Sequence, residues 1–329
     1  MEKSMSEQSG PVTFLRFVPQ SLRSWRSAGI VLPFSVLFIV LSISSSSFLN
    51  TTNLINILDQ QSAILIIAAA GTLVLVTGGI DLSVGATYAL ASCVSAQYAE
   101  THAVWLAVII GVVLGLLVGI VNGVVISYLK INPLIATLAM SFVIGGLGSK
   151  YTKGNLIILT QKPSYGDIAQ TIWLGVPTSV WIMVVMVILL GILLTRTVIG
   201  RYMIAAGGNA QAARLAGIQV NRVRIIAFGL SGAAAAVAGI IDASRVLSAS
   251  AALGSTLAFT VLAGIVVGGT SIAGGDGSVW YTVIGVLFIA MIGNGFDLLG
   301  IDPLYYQITL GLILLVAVSV DAYGRTHRV

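Results

Sequence analysis

The sequence predicts an all-α integral membrane protein, a polytopic bundle of about ten transmembrane helices, some of them short or broken. Three observations carry that prediction. Only 8% of the residues are charged and 57% are hydrophobic, with a mean hydropathy of +1.03, whereas a soluble domain carries about 25% charged residues. The apolar residues are gathered into runs near the length of about 20 that crosses the hydrocarbon. The basic residues fall mostly between those runs.

Residues 1–27 are no secretory signal, because they are long, mixed in charge and followed by no small-residue cleavage site. Phe14, Leu15, Phe17, Val18, Leu22 and Trp25 alternate with Arg16, Arg23 and Arg26. That pattern suits a short helix in the cytoplasmic interface, or else a basic tail. The apolar runs then cover 28–46, 54–78, 84–99, 104–129, 133–151, 178–195, 223–246, 256–270, 277–298 and 304–320. The third and eighth are short, which marks them as broken or re-entrant. The expected division is a cytoplasmic segment 1–27, a transmembrane domain 28–321 and a cytoplasmic tail 322–329.

Charge orients the ten segments. With the N-terminus inside, alternation gathers twelve basic residues inside, among them Lys130, Arg325, Arg328 and the cluster from Arg196 to Arg224. It leaves four outside: Lys150, Lys153, Lys162 and Arg245. That asymmetry places both termini of a multi-pass protein in the cytoplasm. The long outer loop 152–177 holds Pro163, Gly166, Trp173 and Pro177, and reads as a partly ordered docking surface or a plain connector.

Composition also excludes functions. A net charge of +5 that resides in loops, with no aromatic-basic face, is no footprint for nucleic acid. Cys93 is the only cysteine, and His102 and His327 are far apart. No metal site and no nucleophile–base pair can be assembled from them, so neither a metal centre nor a catalytic residue is expected on this chain. The chain has no Gly-x4-Gly-Lys-Ser/Thr phosphate loop, so it binds no ATP of its own.

Polar residues inside the apolar runs are the next candidates, since a charge at a helix centre costs about 2.5–3.5 kcal/mol on insertion scales. Asp59, Gln60 and Gln61 form a polar face in the second run. Two glycine-acid breaks resemble each other, Gly78-Gly79-Ile80-Asp81-Leu82-Ser83 and Gly268-Gly269-Thr270-Ser271 through Gly275-Asp276-Gly277-Ser278. Asp81 and Ser83, or Asp276 and Ser278, can cap the helix that follows, and the alternative is a place in a pathway or gate. Both breaks are expected near the cytoplasmic face. Asp242 and Arg245, three apart, suit a structural ion pair. Asn294, before Asp297, marks the outer end of its span or a contact to a transported solute. The series Gly111, Gly115, Gly119 and Gly123 puts small residues on one helix face, which suits close helix packing.

The most patterned polar stretch runs from Gly200 to Arg224 and contains Arg201, Gly207, Gly208, Asn209, Ala212, Ala213, Arg214, Gly217 and Ile218. Small residues alternate with arginines there, as in a short helix lying against a partner. With Thr77–Gly85, Ile135-Ala136-Thr137-Leu138 and the Gly268–Gly277 stretch, this island completes four blocks. In these blocks the chain, from about residue 50 onward, resembles the membrane permease of ribose-type bacterial ABC importers, in the superfamily shared with branched-chain amino-acid permeases. The resemblance implies a permease subunit carrying a monosaccharide, with a nucleoside or branched-chain amino acid as the alternative cargo. It also implies a second permease copy or paralogue, a periplasmic sugar-binding protein and a cytoplasmic ABC ATPase that holds ATP and Mg. The island becomes the ATPase-coupling segment. Asp59, Gln60, Gln61, Asp81, Ser83 and Asn294 become candidates for the pathway or gate. The family usually carries a Glu and an Asp two residues apart before the second break, where this chain has Ala258 and Thr260. An ion-coupled secondary transporter is the reading from another class. It needs intramembrane acids, for which Asp59 is the main candidate.

Overall fold

The ten apolar runs fold as helices whose ends agree with the sequence to within a few residues, apart from the last. The computed structural model describes residues 28–254 and 256–326; the expected interfacial segment 1–27, His327 and Arg328 lie outside them. The helices in order are α1 (Val31–Ser44), α2 (Thr51–Val76), α3 (Val84–Thr101), α4 (Val104–Leu129), α5 (Pro133–Thr152), α6 (Asp167–Gln170), α7 (Thr178–Arg196), α8 (Val198–Gly208), α9 (Ala210–Leu215), α10 (Val220–Val246), α11 (Leu257–Val267), α12 (Val279–Leu299) and α13 (Leu304–Thr326). Among the described residues seven are long and apolar enough to cross a membrane: α2, α4, α5, α7, α10, α12 and α13. The protein is a multi-pass membrane protein.

The remaining three apolar segments explain the short runs. α11 has 11 residues, about 16 Å at 1.5 Å per residue, roughly half the ~30 Å of hydrocarbon. It is a half-helix that covers only part of the crossing, the rest of the way from the end of α10 to the second break being non-helical among the described residues. α3 is rich in Ala and Ser and buried on nearly every side; small side chains let backbones approach where no water is expelled by helix contact. α1, with 14 residues, lies at the edge and packs on α12.

Burial sorts the layers. In α2 and α10 67% of the most apolar window is buried, against 22% in α4 and none in α13. α2 and α10 are therefore the axis, and α13 is peripheral, touching α11 and α12. α10 lies against α2, α3 and α4. The glycine track of α4 faces it: a Cβ on Gly123 would fall 2.7 Å from Cα of Ile225, and one on Gly111 2.9 Å from the Ile240 side chain. The track serves helix packing.

Contacts between helix ends define two ends of the bundle. One, the hairpin end, gathers the start of α2, the end of α10 and the loop after α5. That loop is ordered. β1 (Ile157–Ile158) pairs antiparallel with β4 (Ser248–Ala249), and β2 (Ile172–Trp173) pairs with β3 (Val176–Pro177). Leu174 and Gly175 both take positive φ, +52° and +79°, the two-residue turn that matches strand twist. Tyr165 anchors the loop from within: its hydroxyl donates to Ser95 Oγ at 3.0 Å, and burial pushes the phenol up to about 12. The other end, the island end, gathers the end of α2, the α4–α5 turn, α8, α9, the start of α10 and the second break.

Candidate functional site

The island folds as two short helices because its polar residues supply their caps. Thr197 Oγ1 accepts the Gly200 N–H at 3.1 Å to start α8. Asn209 ends α8 and starts α9, its Oδ1 accepting the N–H groups of Gln211 (3.0 Å) and Ala212 (2.9 Å). Gly217, at φ +83°, closes α9. The Ile218 N–H then reaches back to the Ala213 carbonyl at 3.0 Å, as in a Schellman cap. Leu215, Arg214, Ala212, Asn209 and Arg201 are exposed, whereas Ala213 is buried. Ala213, expected to let a partner approach closely, is turned into the protein's own core.

Gly207 is likewise directed inward, into a junction of three backbones. The carbonyl of Val76, the last residue of α2, accepts the Gly275 N–H at 2.8 Å, which satisfies one of the carbonyls a helix end leaves open. A Cβ on Gly207 would overlap that same carbonyl. A Cβ on Gly275 would lie 2.6 Å from Cα of Gly208, and one on Gly274 2.8 Å from Cα of Gly78. Gly274 and Gly275 also hold φ of +87° and +78°, open without strain to glycine alone. The two breaks and the end of α8 thus touch backbone to backbone, with no side chain to cushion relative movement.

From this junction the first break turns back into the bundle. Expected near the cytoplasmic face, its Asp81–Ser83 part instead lies beside Ser231, in the twelfth position of α10, about 16 Å along that helix. The Asp81 carboxylate accepts the Ser83 N–H (3.0 Å), the Ser83 hydroxyl (2.6 Å) and the Ser231 hydroxyl (2.9 Å). Ser83 Oγ in turn accepts Asn122 Nδ2 at 2.7 Å. Thr137 pins the same turn, its Oγ1 accepting the Leu82 N–H at 3.1 Å and lying 3.1 Å from the Ile80 carbonyl oxygen. Neither Ser83 nor Ser278 caps its helix through its side chain. Capping was one of the two roles open to each; the Ser83 hydroxyl instead donates to Asp81 and its oxygen accepts from Asn122. A small cavity of about 20 Å3 beside Asp81 is closed by α11, including Ala258.

The other candidate polar residues sit at the hairpin end, apart from Asp81. Ser179 donates to the Asp59 carboxylate. Arg245 donates to the Asp59 carbonyl at 2.9 Å and lies 2.6 Å from the Asp242 carboxylate. Tyr88 donates to Asp242 at 2.6 Å. Asn294 exchanges amide hydrogen bonds with Asn53, at 2.8 and 3.1 Å. Gln60 is exposed and Gln61 partly exposed. These groups tie α2, α3, α7, α10 and α12 together near one end, while Asp81 and Ser83 act deeper. Sequence reasoning did not single out Ser231, Asn122, Tyr88 or Ser179. The one available signal was a hydroxyl or amide within an apolar run. Among the described residues no cluster of His, Cys, Asp or Glu could hold a metal.

All four sequence blocks meet in this assembly: the first break is pinned by the block at 135–138 on one side and touches the island and the second break on the other. The family model for the branched-chain amino acid transport system permease component matches residues 53–318. The ribose import permease protein RbsC of Escherichia coli (strain K12) is 39% identical over 291 residues, 87% of this chain and 90% of the relative. RbsC of Bacillus subtilis (strain 168) is 41% identical over 288 residues, 87% and 89% of the two chains. The L-arabinose transport system permease protein AraH of Escherichia coli (strain K12) is 37% identical over 307 residues, 93% of each. No solved structure matches.

Proposed function

Since the chain belongs to the branched-chain amino acid transport system permease family, we propose that it is the membrane-spanning permease subunit of an ABC importer and carries a monosaccharide delivered by a periplasmic binding protein. Relatives whose names specify ribose and L-arabinose favour a sugar over a nucleoside or branched-chain amino acid. Chemistry is left to other chains: ATP and Mg are held by a cytoplasmic ATPase, and this subunit supplies the path, shared with a second permease copy or paralogue. The island end faces the cytoplasm and the hairpin end the periplasm, as the excess of basic residues at the island end requires.

The observation that carries the mechanism is the backbone junction of Val76, Gly207–Gly208 and Gly274–Gly275. A partner that shifts α9 moves α8 with it, since the two helices share Asn209 as end and cap. α8 abuts both breaks without intervening side chains, so its displacement passes to α2, to the Asp81 turn and to α12. Close-packed contacts of this kind rearrange between discrete arrangements rather than deform smoothly. A path opened alternately to the two faces follows, with the polar turn at Asp81–Ser83 moving at its centre.

Proteoliposomes containing the permease, its ATPase and its binding protein test this reading. Uptake of labelled ribose or L-arabinose is expected, dependent on internal ATP and abolished without the ATPase. Uptake that persists without the ATPase and collapses with an ionophore would instead assign an ion-coupled carrier, with Asp59 as its acid.

A further inference from the structure

Beside α9 the island end carries a groove of about 460 Å3, within the range of about 300–1,000 Å3 typical of ligand pockets. One wall is the end of α4 and the turn after it, with Ser127, Tyr128 and Lys130; the other is Arg214 of α9 and Asn221 and Arg222 of α10. The lining holds three cations and no acid. Among the described residues no carboxylate lies within ion-pair distance of any of the three. The bond that holds Arg214 across the groove, to Asn221 Oδ1, is long at 3.4 Å. Like charges converging on one concave surface repel one another, and their summed field selects an anion.

We propose that this groove is a second docking site for the ATPase and receives an acidic protrusion of that subunit, so that the interface interlocks: α9 enters the partner, and the partner's carboxylates enter the permease. The inference rests on the reading of the island as the ATPase-coupling segment, and it adds Lys130, on a different part of the chain, to the contact. Arg214 belongs to both surfaces, which makes them continuous. Its neighbour Leu215 is 86% exposed among small residues, an apolar anchor at the edge of a charged groove, the arrangement in which a few residues dominate an interface. Arg214 is exposed on α9 and also lines the groove, so an acidic surface that meets α9 reaches the groove cations as well; this continuity favours a protein carboxylate over a lipid phosphate. The contact spans two segments distant in sequence, α4–α5 and α9–α10.

The permease in nanodiscs is titrated with its purified partner ATPase at low and at high salt. Lys130→Glu and Arg222→Glu are each expected to weaken association by about tenfold and to flatten its salt dependence, as loss of a steering charge does. Lys130→Arg is expected to bind like the wild type, and Leu215→Asp to lose binding through α9 alone. Wild-type affinity in both glutamate variants, with Leu215→Asp defective, would overturn the groove while leaving α9 as the coupling segment. No binding by the wild-type permease would remove the coupling reading itself. Nanodiscs with and without phosphatidylglycerol form the last arm. Wild-type binding suppressed by that lipid, with Lys130→Glu insensitive to it, would assign the groove to a lipid headgroup and overturn the proposal.

Discussion

Asp81 illustrates how a single polar residue is accommodated inside the bundle. A carboxyl at a helix centre costs about 2.5–3.5 kcal/mol on insertion scales, and three donated hydrogen bonds at about 1 kcal/mol or more each offset that cost. The donors come from its own turn and from α10, so Asp81 ties the first break to the central helix. Asp81→Ala is therefore expected to lower stability by about 1–3 kcal/mol, the cost of buried donors left unpaired, read as a lower unfolding temperature in detergent. Asp81→Asn keeps an acceptor for Ser83 and lets Ser231 accept instead of donate, so most of that stability is expected to remain. Equal loss in both variants would mean that charge, not hydrogen bonding, holds the turn. The sequence marked Asp81 and Ser83 as special through their setting between glycines. It could not reveal Ser231 as partner, because 150 residues separate them and only the crossing of the break with α10 brings them together.

At the scale of elements, the junction decides what the island's glycines do. Four of its residues looked equivalent in sequence: Gly207, Gly208, Ala212 and Ala213. Folding divides them, with Gly207 and Ala213 directed inward and Gly208 and Ala212 exposed. Gly207→Val is expected to leave membrane insertion and ATPase binding intact and to cut coupled uptake at least tenfold, since its Cβ would meet the Val76 carbonyl. ATPase pull-down and sugar uptake measured on the same preparation separate the two effects, and normal uptake would rule out a close-packed transmission point. Helix boundaries were legible from apolar runs because hydrocarbon thickness imposes their length. The half-helix α11 was legible as too short to cross by itself, which marks its segment as broken. The failure of Ser83 to cap was not, because a cap depends on which competing partner the side chain reaches, here Asp81 and Asn122.

Over the whole molecule, the two ends of the bundle carry different tasks. The island end presents cations and backbone junctions, and the hairpin end presents an ordered loop and a clasp of Asp59, Ser179, Arg245, Asp242 and Tyr88. Cysteine labelling tests the orientation directly. Leu215→Cys is expected to react with a membrane-impermeant maleimide only in inside-out vesicles, and Leu174→Cys only in right-side-out cells. The native Cys93 is buried and gives little background. Labelling from the same side in both variants would break the alternation of ten segments. The sequence by itself determined the class, the number of apolar segments and the charged end, because lipid solvation and the distribution of basic residues act on stretches of chain one at a time. The tertiary structure alone decided that the two glycine-acid breaks and the island meet backbone to backbone at Val76. That contact joins residues far apart in the chain and depends on side chains that are absent, and a missing Cβ names no partner until the fold supplies one.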